Sequence, residues 1–300
     1  MSERIYCSEV ALQMDAPLVG TAVPVDAWLL IEYPRPWKAK ALIDNELDPK
    51  INTLLEDLPA QFRALTGARM RVQWIKQAAW ADVVQPRIFL VRDGQVLAGE
   101  LPSYQAIGRL AAADLAAGLI PGGRSSAAPL YLVCTNGQRD LCCARFGLPL
   151  YEALRVEFGG TVWQTTHVGG HRYAPNLLCL PSGCVYGYVM PELGASIVRA
   201  DQQGLVYGAN LRGRACLEEA AQAAEVFAVR AAGEAPHTSS PAVIHSCDKQ
   251  ADEIAVRLSL HGEKRTITMR HVAQHHIAIA SCGKSEKAID GYELLEVADG

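Results

Sequence analysis

The sequence predicts an α/β protein, and three observations carry that prediction. Short apolar runs of strand length alternate along the chain with stripes of helical period. Gly, Pro and Asp-Gly signals punctuate them at turn-length spacing. Half of the 300 residues are hydrophobic and a fifth are charged, a balance that supports a large packed core. Two small, polar, turn-forming stretches, PGGRSSAAP (121–129) and AGEAPHTSSP (232–241), act as connectors. They divide the chain into an N-terminal part (1–126), a middle part (127–232) and a C-terminal part (233–300).

The N-terminal part opens its regular structure with AWLLIEYP, an apolar run suited to a buried strand. Leu47, Ile51, Leu54, Leu55, Leu58, Phe62 and Leu65 then recur every three or four residues, one stripe of a helix that Gly67 closes. ARMRVQWIK reads as a strand, and RIFLVRDGQVLAGEL as a hairpin turning at Asp93-Gly94. YQAIGRLAAADLAAG follows as an alanine-rich helix. The middle part repeats the order: strand LYLVC, helix LPLYEALRVEFGG, strand TVWQTT, and the hairpin NLLCLPSGCVYGYV turning near Pro181-Ser182-Gly183. A long helix, ACLEEAAQAAEVFAVRAAG, ends it. The C-terminal part is strand-rich, with EIAVRLSLHGEKRTITMRHV forming a hairpin around His261-Gly262. It is expected to pack back onto one of the preceding sheets.

Composition excludes several classes of function. Lys plus Arg number 28 against 32 Asp plus Glu, a net charge of −4, which is not the footprint of a nucleic-acid binder. No window holds enough consecutive apolar residues for a transmembrane helix. The opening MSERIYCSEVALQMD carries acidic residues where a signal peptide needs an apolar segment, so a cytoplasmic location is expected. Nine cysteines are an odd number and too sparse for a disulfide scaffold; in a reducing compartment they read as metal ligands or redox groups.

The chemistry concentrates in the middle part. Cys134 ends a strand, the position where α/β sheets present functional loops. The loop TNGQRDLCCARFG follows and returns Cys142 and Cys143 at its far side. A cysteine on each side of a short loop can place two thiolates on one metal, although any single cysteine is more often a small core residue. His167 and His171 follow in THVGGHRYAPN. Their spacing would align two imidazoles on a helix, but Gly169, Gly170 and Pro175 argue for a loop on which the rings converge. Two sulfur and two nitrogen donors suit a tetrahedral zinc site or a [2Fe–2S] cluster. Cys-x8-Cys is wider than a zinc knuckle, and the Cys-x-His pairs of a Rieske centre are missing, so neither familiar template fits.

CTNGQRDLCCARFGLPLY together with VWQTTHVGGHRYAPNLLCLPSG resembles the sucrase/ferredoxin-like family, and WLLIEYPRPW resembles its N-terminal half. The resemblance implies a thioredoxin-like ferredoxin domain over 127–232, holding a [2Fe–2S] cluster on Cys134, Cys143, His167 and His171, with Cys142 as the alternative to Cys143. It also implies a function in one-electron transfer or redox sensing rather than catalysis on a substrate, with a redox partner protein as donor or acceptor. Replacing thiolates by imidazoles raises the potential, and the outer imidazole nitrogen makes it fall as pH rises. No paired carboxylates support glycoside hydrolysis. The N-terminal half, with its similar order of elements, is expected to be a second thioredoxin-like layer without ligands, carrying Pro34-Arg35-Pro36-Trp37 in place of the cysteines.

Two further functions compete. A structural zinc protein would use the same four ligands, and a thioredoxin-like thiol oxidoreductase lacks the Cys-x2-Cys motif it needs. Arg139, Asp140, Arg145 and Arg172 flank the ligands and read first as solvated loop charges, or else as groups that tune a cluster or dock a partner. Asn176 is placed to brace the histidine loop with its amide. His271, His275 and His276, with Cys247 and Cys282, form a weak second metal candidate in a segment that reads as strand. Cys179 and Cys184 read as buried thiols across a hairpin; Cys7 and Cys216 carry no signal.

Overall fold

The unbroken apolar run of β1 (Ala27–Glu32) is buried along its whole length, as a strand covered on both faces requires. β1 belongs to a ten-stranded mixed sheet in a computed structural model that describes residues 5–77, 82–233 and 240–300. After α1 (Cys7–Gln13) and β1, α2 (Pro49–Thr66) crosses over to β2 (Met70–Lys76), which pairs parallel with β1. β3 (Arg87–Arg92) then pairs antiparallel with β1, and β4 (Gln95–Glu100) with β3, turning at Asp93-Gly94 as expected. The short β5 (Arg124–Ser126) adds to β4 at the sheet edge.

The middle part builds the same unit again. β6 (Leu130–Cys134) leads through α4 (Leu141–Phe158) to the parallel β7 (Val162–Thr165). β8 (Leu177–Leu180) and β9 (Cys184–Tyr186) follow as an antiparallel hairpin on β6. The two strand orders, β2-β1-β3-β4 and β7-β6-β8-β9, are the same thioredoxin-like order. The halves join where β2 meets β7 antiparallel, pairing Ile75 with Thr165, so one sheet runs through both. β10 (Leu211–Arg214) closes the far edge beside β9.

Helices cover the sheet through the stripes the sequence displays. Ile51, Leu55, Leu58 and Phe62 of α2 pack with Leu29, Ile31, Val72 and Trp74 of β1 and β2. Leu65, expected in that stripe, is exposed; it sits on the last turn, beyond the sheet's reach. Gly67 caps α2 in the left-handed region, as expected. The alanine-rich segment after β4 is not one helix but a 3-10 turn, Tyr104–Arg109, and the short α3 (Ala112–Ala116), with Leu110 and Ala111 extended between them. The break lets Ile107, Leu110 and Leu115 all reach the core under α2, and that packing overrides alanine's helix propensity. α5 (Pro191–Gln202) lies over α4, and α6 (Glu219–Ala231) follows β10.

The C-terminal strands β11 (Val243–Gln250), β12 (Glu253–Leu260), β13 (Glu263–Ile279) and β14 (Glu286–Asp299) form a separate four-stranded antiparallel sheet. It packs against α6 and shares the core of the middle half through Ile254, Val256, Leu258 and Met269. The β12–β13 turn falls at His261-Gly262, as expected. The long β13–β14 hairpin extends past α6, and its tip, residues 280–285, lies beside α4 and α1. Most of the 232–241 connector lies outside the described residues. Among the described residues no helix is long and apolar enough to cross a membrane.

α4 begins earlier than the sequence suggests. Pro149 marks a helix start by composition, but the helix starts at Leu141, capped by the Asp140 carboxylate, which accepts from the Cys142 backbone N–H at 2.9 Å. Gly147 lets this turn lie against the end of β6: a methyl group there would strike the Cys134 carbonyl. Gly147→Ala is therefore expected to cost about 1–3 kcal/mol in urea denaturation, the range for overpacking a close contact. Gly108→Ala, where the added methyl meets only open space near Ile51, is expected to change stability by less than about 0.5 kcal/mol.

Candidate metal centre

The C-terminal end of β6, the first turn of α4 and the loop after β7 converge. Cys134 is the last residue of β6 and Cys143 lies one turn into α4; both thiols are buried. His167 presents its Nδ1 to both, 3.9 Å from the Cys134 Sγ and 3.6 Å from the Cys143 Sγ. The donor atoms of these three residues lie within 4.8 Å of one another. The fourth expected residue, His171, stands outside that circle, with its ring centroid 5.3 Å from that of His167. Its Nε2 faces the Ala280 carbonyl at 2.6 Å. A carbonyl only accepts, so Nε2 carries the proton and Nδ1 is left with a bare lone pair. That Nδ1 is buried and has no hydrogen-bond partner among the described residues.

Protonation in the group is uneven. The hydrogen bond from Cys143 holds the Cys134 thiol well below its ordinary range, against burial and with help from His167. The same bond pushes the Cys143 thiol up, and burial adds to that. Burial pulls His171 below its ordinary value, keeping the imidazole neutral. The pair is thus arranged as one thiolate and one thiol beside two imidazoles, a donor set that accepts a soft or borderline metal.

Buried cations hold the histidine loop. Arg212, 1% exposed, donates to the Gly169 carbonyl at 3.1 Å, to the Asn176 Oδ1 at 2.8 Å and to the Thr21 carbonyl. Gly170 has φ 71°, and a side chain there would occupy the Arg212 guanidinium. The Asn176 amide also donates to the Gly170 carbonyl at 2.9 Å, the brace its position suggests. Arg71 donates to the carbonyls of His167 and Val168. Neither Arg71 nor Arg212 pairs with a carboxylate among the described residues, so both bring uncompensated positive charge under the loop.

Cys142 goes elsewhere. Successive helix residues project about 100° apart, so Cys143 faces β6 while Cys142 faces α1 and the β13–β14 tip. There its Sγ lies 3.5 Å from that of Cys7 and 3.2 Å from that of Cys282. Asp140 belongs to this second group and is not a solvated loop charge: it is 4% exposed and accepts from Ser281 Oγ at 2.6 Å and Cys282 N at 3.0 Å. Burial pushes its carboxyl up, but those bonds and the Cys142 N–H outweigh it and hold the group down at about 2. Arg139 and Arg145 are exposed, as solvated charges are; Arg172 is half-buried.

Sequence reasoning missed Cys7 and the Ala280 carbonyl, and it grouped Cys282 with Cys247 and the β13 histidines rather than with Cys7, Asp140 and Cys142. No local spacing links positions 7, 142 and 282, and only the tertiary fold brings them together. Asp140 ahead of a helix was the one readable signal, as a capping residue. His271 and His275 instead face Asp290 and Glu293 at 3.6 and 3.3 Å on the hairpin surface. Cys247 is exposed, and none of these residues joins a three-donor group among the described residues. Cys179 and Cys184 pair across the β8–β9 hairpin as free, buried thiols.

A family model described as sucrase/ferredoxin-like matches residues 18–213, more than half of the chain. Neither the curated proteins nor the solved structures gave a match. Removing the Asn176 side chain takes an acceptor from buried Arg212 and a donor from the Gly170 carbonyl. Asn176→Ala is expected to destabilise the protein by about 1–3 kcal/mol, read from the midpoint of urea unfolding.

Proposed function

This chain belongs to the sucrase/ferredoxin-like family, and on that premise we propose that Cys134, Cys143, His167 and His171 hold a [2Fe–2S] cluster through which the protein carries or senses single electrons. The observation that supports this most is the bare, buried Nδ1 of His171, its tautomer fixed by the Ala280 carbonyl, next to an imidazole already facing two thiols. A bare, buried imidazole nitrogen is free to coordinate a metal. When bound, the cluster supplies a one-electron couple whose potential imidazole ligation raises.

The chain's own groups set the conditions for that couple. The hydrogen bond from Cys143 holds Cys134 ready as a thiolate. Arg71 and Arg212 place positive charge beneath the loop, where it offsets the negative charge of thiolates and sulfides. Val168, 5% exposed, and the two buried cysteines keep water from the inner side. His167 borders an open cleft of about 440 Å³ that Lys40, Arg71 and Arg139 also line. This is the side from which a redox partner protein reaches the centre, and imidazole ligation implies a potential that depends on pH. A thiol oxidoreductase is disfavoured because Cys134 and Cys143 are 1% and 0% exposed, out of reach of a substrate disulfide.

Anaerobically purified protein is expected to be red-brown and to contain iron and acid-labile sulfide in equal amounts. Cys134→Ala and Cys143→Ala each lose the iron and the visible absorbance, while Cys142→Ala keeps both. His167→Cys keeps iron and lowers the midpoint potential in a redox titration. A colourless protein holding zinc on these four residues contradicts the reading.

A further inference from the structure

We propose that Cys7, Cys142 and Cys282, with the carboxylate of Asp140, form a second and separate site for a single zinc-class ion. Three thiols from distant parts of the chain meet here: α1, the first turn of α4, and the β13–β14 tip. Their Sγ atoms stand 3.5, 3.2 and 3.7 Å apart, and the Asp140 oxygens lie 3.7 and 3.9 Å from the Cys7 Sγ. A tetrahedral ion with metal–sulfur bonds of about 2.3 Å sets its sulfurs about 3.8 Å apart. The observed triangle is close to one face of that tetrahedron, and a carboxylate oxygen of Asp140 lies within 4.8 Å of all three sulfurs.

Core packing, a disulfide and a polynuclear cluster each match this geometry less well. Thiols packed as core hydrophobes would not surround a buried carboxylate, whose desolvation is costly among apolar groups. Among the described residues no Lys or Arg pairs with Asp140; its nearest basic group is His171, at 3.8 Å. A divalent cation supplies the missing positive charge. A disulfide would join two of the sulfurs and strand the third beside the carboxylate. A polynuclear cluster attaches its cysteines to different irons and so spreads them wider than a one-ion face. Three thiolates and one carboxylate select zinc over the hard cations magnesium and calcium. Surrounding bonds hold the donors in place: Ser8 N donates to Cys142 Sγ at 3.5 Å, while Ser281 Oγ and Cys282 N donate to Asp140.

The two centres share α4 but no ligand. Cys7 and Cys282 also lie outside the stretch that the family model matches. An ion here ties the N-terminal helix and the C-terminal hairpin to the turn that carries Cys143, and fixes Ala280, whose carbonyl orients His171. Its role is structural: four protein donors close the coordination sphere.

Elemental analysis of the intact protein, purified without chelator, is expected to find about one zinc per chain in addition to iron, as a closed four-ligand site holds one ion. Cys7→Ala and Cys282→Ala each reduce zinc at least tenfold and leave iron content and visible absorbance in place; Cys134→Ala does the reverse. Cobalt(II) added to zinc-depleted wild-type protein gives thiolate-to-cobalt charge-transfer bands and tetrahedral visible bands, absent in Cys282→Ala. The site is overturned if wild-type protein neither contains zinc nor binds cobalt(II) in this form. It is equally overturned if zinc survives both cysteine variants, or if alkylation under denaturing conditions recovers Cys142 and Cys282 as a disulfide. Should Cys7→Ala or Cys282→Ala fail to fold, native alkylation of wild-type protein decides. Protection of Cys7, Cys142 and Cys282 that chelator removes supports the site, and reactivity unchanged by chelator overturns it. A protein with zinc on these residues but no iron would leave this proposal standing while contradicting the cluster.

Discussion

The cap that Asp140 places on α4 fixes everything around the centre. A carboxylate buried at a helix start is tolerated only where donors surround it, and here they come from the helix itself and from the β13–β14 tip. The cap decides where α4 begins, and through the helical repeat it decides which way Cys142 and Cys143 point. Shifting the start by one residue would carry one thiol into the other's place and turn the second away from both groups. The same carboxylate anchors the tip that brings the Ala280 carbonyl to His171. One side chain thus sets the register of the thiols and, at second hand, the tautomer of an imidazole.

The two halves show how one architecture serves two ends. Each runs strand, helix, parallel strand and hairpin, and each presents a loop at the end of its first strand. In the middle half that loop leads to the cysteines. In the N-terminal half the corresponding place is closed by aromatic packing: Trp37 donates to the Tyr33 carbonyl at 3.0 Å, and the Lys76 ammonium lies 4.1 Å over the Trp37 ring. Joining β2 to β7 sets the cysteine-bearing half beside the N-terminal half in one sheet. From that neighbour Arg71 of β2 reaches across to the histidine loop. The ligand-free half therefore contributes a positive charge to the centre.

The strands and the α2 stripe were legible because their signals are local. β1, β6 and the Asp93-Gly94 hairpin follow from apolar runs and turn residues alone. The grouping of Cys134, Cys143 and His167 was legible from a strand end, a short loop and a glycine-rich turn, whereas His171 stands outside the circle of their donor atoms. Further features were hidden for definite reasons. Pro149 and Gly147 mask the first two turns of α4, and Gly194 breaks up the pattern of α5. Cys7 carries no neighbouring signal and Cys282 sits near histidines that belong to another surface, since a site assembled from three distant segments leaves no spacing to read. Asp140 looks like any loop acid until the tip of a distant hairpin is seen to bury it.

Electron spin-echo spectroscopy of the reduced protein, with histidine labelled by nitrogen-15, reads the iron ligands themselves. With His167 and His171 both on iron, two histidine nitrogens couple to the unpaired spin, and one of them is lost in the variant that replaces His171. A reduced iron–sulfur signal with no histidine nitrogen coupling, or no paramagnetic signal from iron-replete protein, would contradict it.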